Sequence, residues 1–169
     1  MTSPDSALLL PYRLEHTPAP ATRPEETALH RVRLTVGDDP EGRTAWPVRC
    51  ARIALALPTA PDAVVRTGEP VILRTRLDVR RGPGRGRQWL VETGTTDPTT
   101  TLLTLTPAEP AGFDGSWTLT LILDISTPLG TLSRITEDTA PGDGPPQRRA
   151  GNTTLTTATA TPSERVGEP

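Results

Sequence analysis

The run RRGPGRGRQW, residues 80–89, sets four arginines among three glycines and a proline, with a tryptophan behind them. Arg80, Arg81, Arg85 and Arg87 could follow a phosphate backbone, and Trp89 could stack on a base. Arg74 and Arg76 stand just upstream. A phosphate cradle of the GxxxxGK[ST] kind is excluded, because the chain has no lysine. A dinucleotide fingerprint needs a helix after the glycines, and RQWLVET reads as a strand. The formal net charge of −2 supplies no field toward nucleic acid. All 18 basic side chains are arginine, so the run partly reflects a composition that places Arg where other proteins place Lys. Its expected form is a hairpin tip whose arginines keep the sheet edge soluble. It remains a candidate contact surface for a protein or a glycan, with nucleic acid disfavoured.

A second atypical stretch is GDDPEGRTAWP, residues 37–47. Asp38, Asp39 and Glu41 offer carboxylates, but without the ligand spacing of a calcium loop. Trp46 is the tryptophan expected to be exposed, where it could pack over the end of the domain or stack on a sugar. His16, His30 and the lone Cys50 are far apart in sequence and give no zinc spacing. Ser116 in FDGSW reads as part of a turn, with no GxSxG elbow. No pair of carboxylates stands out as a glycosidase couple. No catalytic residue, metal site or cofactor is expected, and an enzyme is disfavoured.

These residues must be held by a scaffold, and the scaffold reads as strands. In the middle of the chain, residues 28–137, apolar and polar residues alternate with period two. His30, Val32, Leu34 and Val36 share one face. Ile53, Leu55 and Leu57 share another, while Val48 and Cys50 fall on the opposite parity, so a bulge is expected near Ala51 or Arg52. Trp117, Leu119, Leu121, Leu123 and Ile125 make the clearest buried face. Trp89 fits a core position on a returning strand. No window holds a helical period, and proline is dense.

Seven to eight short strands in about 110 residues predict an all-β fold, a single antiparallel β-sandwich of Ig-like size. The Cys…Trp…Cys signature of antibody domains is absent, so the expectation is the architecture and not that family. Residues 1–27 read as a Pro-rich arm, with LLLPYRL (8–14) able to lie extended against the domain. Residues 138–169 carry almost no bulky apolar side chains, too few to offset an ordering entropy of about 1–2 kcal/mol per residue, and are expected to be disordered. The N-terminus lacks a basic signal region and no apolar run is long enough to cross a membrane, so the expected location is cytoplasmic. The functional expectation is a non-catalytic module acting by protein–protein contact or self-association, ahead of a carbohydrate-binding module and ahead of nucleic-acid contact.

Overall fold

The computed structural model describes residues 7–18, 30–61, 72–80, 89–97 and 99–157. Ten strands are present: β1 (Tyr12–Pro18), β2 (His30–Val36), β3 (Val48–Pro58), β4 (Ile72–Arg80), β5 (Trp89–Asp97), β6 (Thr100–Pro107), β7 (Ala111–Phe113), β8 (Thr118–Ile125), β9 (Leu132–Pro141) and β10 (Gln147–Thr157). Among the described residues there is no helix, and so none long and apolar enough to cross a membrane. The all-β architecture agrees with the alternation, and the expected middle, 28–137, holds β2 to β8 and the first part of β9.

The strands follow the order β4-β8-β2-β1-β10-β9-β3-β6-β5, with β7 beside the first part of β3. One sheet is β4-β8-β2-β1 and the other is β10-β9-β3-β6-β5. They meet where β1 lies parallel to β10 over Leu14–His16 and Leu155–Thr157. The whole curls into a half-barrel around one core. Parallel pairing breaks the all-antiparallel expectation at this one place among the described strands.

Alternation puts the core where the sequence implies. Leu119, Leu121, Leu123 and Ile125 of β8 are fully buried, as are Val32 and Val36 of β2. They face Ile53, Leu55, Leu57, Leu103, Leu105 and Ile135 of the second sheet. Burying each such side chain is worth about 1.5–3 kcal/mol. The expected irregularity in β3 is present. Its register against β9 shifts between Cys50 and Arg52, which lets Val48 and Cys50 face inward on one parity and Ile53 onward on the other. At the far end of the core, Phe113 stacks on Trp117 with ring centroids 4.1 Å apart, and Trp89 meets Phe113 edge-on.

The ordered domain extends past its expected limits on both sides. β9 continues to Pro141, and β10 occupies residues expected to be disordered. Side-chain burial does not account for β10, which is held by pairing more than by packing. It is hydrogen-bonded to β9 on one side and β1 on the other, and none of its side chains is fully buried. The N-terminal stretch around 8–14 does lie against the domain, and it goes on as β1. Residues 1–6 and 19–27 of the expected arm, 28–29 of the expected middle and 158–169 of the expected tail lie outside the described residues.

Two buried features fasten this first strand. Glu137 of β9 is 0% exposed. One of its oxygens accepts the Leu9 N–H at 2.6 Å and the Thr139 hydroxyl at 2.5 Å. The other accepts the Tyr12 hydroxyl at 2.7 Å and the Leu10 N–H at 3.4 Å. Beside them, Leu8 presses onto Gly151 of β10. A Cβ there would lie 2.8 Å from Leu8 side-chain carbons, so only glycine allows this approach without displacing Leu8.

Candidate functional site

The loop between β2 and β3 is built around Asp39. Its carboxylate accepts the backbone N–H groups of Thr44 at 2.7 Å and Arg43 at 3.1 Å, and its carbonyl accepts the Gly42 N–H. The Thr44 N–H, more than any other contact, holds the Asp39 carboxyl below its ordinary value. Asp38 pairs with Arg13 of β1 at 3.0 Å, and Glu41 with Arg43 at 3.4 Å. The three acids that could have suggested calcium therefore have partners within or beside the loop. Among the described residues, no group of three or more His, Cys, Asp or Glu could hold a metal ion.

Trp46 is half-buried and packs against the core at the end of the domain, less buried than Trp89 or Trp117. The cause is the turn between β7 and β8. Asp114 accepts the Ser116 N–H at 2.9 Å and the Ser116 hydroxyl at 2.6 Å, which closes the turn. Gly115 takes φ +91° in that turn, and a Cβ on it would stand 2.9 Å from the Trp46 indole nitrogen. The indole thus lies against a bare backbone. Ser116 is a turn residue, and it sits at the end of the sheet opposite His16 and His30.

A cleft of about 350 Å³ runs between Trp46, Asp39 and Ser116. Past Asp38 and Thr118 it opens into a groove of about 490 Å³ on the outer face of the first sheet. Arg13, Arg33 and Arg76 line the groove with Asp38, Asp78 and the hydroxyls of Thr35, Thr118 and Thr120, and Ile122 contributes an apolar side chain. Arg33 donates to Glu15 at 3.0 Å, but its buried Nε has no partner. This surface offers hydrogen bonds of both polarities to a polar ligand. It holds no cysteine, histidine or lysine to act as nucleophile or base.

The strands on either side of the arginine run do not form a hairpin with each other: β4 pairs with β8 in one sheet and β5 pairs with β6 in the other. The reason is visible in Trp89, which is 6% exposed and drawn into the second sheet's core beside Phe113. Arg80 ends β4, while Arg81, Arg85 and Arg87 lie outside the described residues. Arg76, on the outer face of β4, reaches the groove.

The two strands that end the order differ in character. β4 exposes Arg74, Thr75, Arg76 and Asp78 and is bulged between Ile72 and Arg74. β5 exposes Leu90, Glu92, Thr93, Gly94 and Thr95, with Leu90 58% accessible. Thr93 and Thr95 have the parity of buried Trp89, yet they stand in solvent, so the far half of β5 is uncovered on both faces.

Cys50 is buried, and burial above all pushes its thiol far above the ordinary value, which leaves it inert as a nucleophile. The carboxylate of Glu137 was not foreseen as a core group. Its only signal in the sequence is that Ile135, Glu137 and Thr139 share one parity with an apolar residue at the start.

No protein-family model and no curated protein matches the chain. Solved structures do resemble it remotely. The collagen binding subdomain of the Enterococcus faecalis surface protein ACE is 6% identical with a TM-score of 0.44, over 85% of this chain and 94% of that one. The C-terminal domain of the Streptococcus agalactiae AgI/II polypeptide BspA is 8% identical with a TM-score of 0.38, over 88% of this chain and 51% of that one. A cohesin module from a Clostridium perfringens family 33 glycoside hydrolase is 6% identical with a TM-score of 0.34, over 88% and 96%. At these scores the likenesses carry neither a family nor a function.

Proposed function

We propose that this chain is a non-catalytic β-sandwich module that works by protein–protein contact along the free edge of β5. One observation carries the reading. β5 ends the strand order and pairs only with β6 among the described strands, and its outer half is uncovered on both faces. Edge strands are ordinarily blunted by charge, proline or a bulge. β4 follows that rule with Arg74, Arg76 and Asp78, whereas β5 has one described charged side chain, Glu92, and a bulge only at its end, between Thr95 and Asp97. An extended segment of a partner, or the same edge of a second copy, would complete the ladder with main-chain hydrogen bonds, and Leu90 would supply apolar contact.

The test is an edge variant, Leu90→Lys with Thr93→Lys. Both positions are exposed, so the fold should tolerate the change. Size-exclusion chromatography with light scattering should show concentration-dependent association of the wild type that the variant loses, or a native pull-down should return a single partner that the variant fails to retain. A wild type that stays monomeric and retains the same proteins as the variant refutes the reading.

A further inference from the structure

The two histidines of the chain, 14 positions apart, become neighbours in the fold. Residue 16 pairs with Val32 across the β1–β2 ladder, so His30 is its diagonal neighbour on the same, core-facing side. Diagonal positions on one face are within reach of ring side chains. Here His16 Nε2 and His30 Nδ1 form a hydrogen bond 3.4 Å long, so one of them carries the proton that a bound cation would replace, and the ring centroids are 5.6 Å apart. Both side chains are half-buried, at the end of the sheet remote from Trp46.

We propose that His16 and His30 form a two-imidazole site for a tetrahedral divalent cation of the zinc class. Two nitrogens bound to one zinc at about 2.0–2.1 Å with a tetrahedral angle must lie about 3.3 Å apart. The observed 3.4 Å matches that span. A square-planar cation would need roughly 2.9 Å for adjacent ligands or about 4.1 Å for opposite ones, and the observed span lies nearer the tetrahedral value. Magnesium and calcium call for oxygen ligands, which this pair does not supply.

The surroundings suit a metal ligand. The backbone beneath is a regular antiparallel ladder from Tyr12–Val36 to Pro18–His30, so the two Cα positions are fixed before any metal arrives. Ile125, which pairs with His30 on the other side, is fully buried and anchors β2 there. Two protein ligands leave two positions for water or for a donor from a bound partner. A cation there would tie β1 to β2 through their side chains as well as their backbones.

The experiment uses the untagged full chain, stripped with a chelator, and titrates it with Zn²⁺ in a calorimeter. The expected result is one zinc per chain, with no heat from Mg²⁺. His16→Ala and His30→Ala should each weaken zinc binding at least tenfold. Circular dichroism and a thermal melt check that each variant is folded, and His16→Gln and His30→Gln replace any alanine variant that is not. Absence of zinc binding overturns the proposal. So does zinc affinity within twofold of wild type in folded variants of both positions. Failure here leaves the β5 edge reading untouched, because the two sites share no residue.

Discussion

Replacing Glu137 by glutamine keeps the shape of the side chain and removes one acceptor oxygen. The wild-type carboxylate takes four hydrogen bonds, two per oxygen, and each oxygen has one backbone N–H and one hydroxyl as donors. A hydroxyl can turn and accept from the new amide NH₂. A backbone N–H cannot turn. Either orientation of the amide therefore leaves one buried N–H facing another donor, that of Leu10 in the better case and that of Leu9 in the worse. An orphaned buried donor costs about 1–3 kcal/mol, so Glu137→Gln should lose roughly 2 kcal/mol. Glu137→Ala orphans both N–H groups and should lose about 4 kcal/mol by the same measure, a large share of a total stability of about 5–15 kcal/mol. Urea denaturation followed by tryptophan emission reads this directly, since Trp89 and Trp117 are buried. With a slope of about 2 kcal/mol per molar, the glutamine variant should shift the midpoint down by about 1 M at unchanged slope. Exposed Glu109→Gln is the control and should stay within about 0.5 kcal/mol. If Glu137→Gln also stays within that margin, the carboxylate is not the fastener of the first strand and the reasoning fails.

Two further outcomes are expected. Gly115→Ala should destabilise by at least about 1–2 kcal/mol, the usual cost of a left-handed L-residue, and should change the Trp46 emission. Gly112→Ala, whose added methyl group would meet nothing within 4 Å, should cost less, and equal costs would remove the role assigned to the Gly115–Trp46 contact. Burial first, and then the Glu137 charge, raise the pKa of Tyr12, the single tyrosine of the chain, well above the ordinary 10.0. Between 10.0 and that raised value the unfolded chain has lost the proton and the folded one has not, so stability is fully present below pH 10 and falls as pH rises beyond it. Phenolate absorbance in the folded protein should appear only well above pH 10, and a titration at the ordinary value would contradict the burial of this hydroxyl.

How far the sequence can be read depends on what holds each strand. β8 is held by burial, and its alternation from Trp117 to Ile125 announces both the strand and its inward face. The bulge in β3 is legible for the same reason, because Cys50 and Ile53 cannot both face inward on one parity. β10 is held by neighbours on both edges, and GNTTLTT carries no burial signal to detect. The β4–β5 connection departs from expectation because adjacency in sequence suggests a hairpin. The partner of β4 is β8, about 40 residues downstream, and no local pattern encodes that. Of the candidate site, Trp46 and Arg76 are visible by residue type. The groove joining Asp38 to Arg76 needs the β1–β2–β8–β4 order. The meeting of His16 and His30 likewise needs the β1–β2 register.

The parallel contact between the first and last described strands has a mechanical consequence. β1 and β10 run in the same direction side by side, so the chain enters at one end of the pair and leaves at the other. Tension applied between the two ends of the polypeptide pulls these strands along their own length in opposite senses. Their hydrogen bonds, and those of the flanking β1–β2 and β10–β9 ladders, then share the load at once and do not open one after another. The seam that joins the two sheets is thus placed where pulling on the chain meets resistance in shear, and the Glu137 contacts, next to it, bear on the same strand.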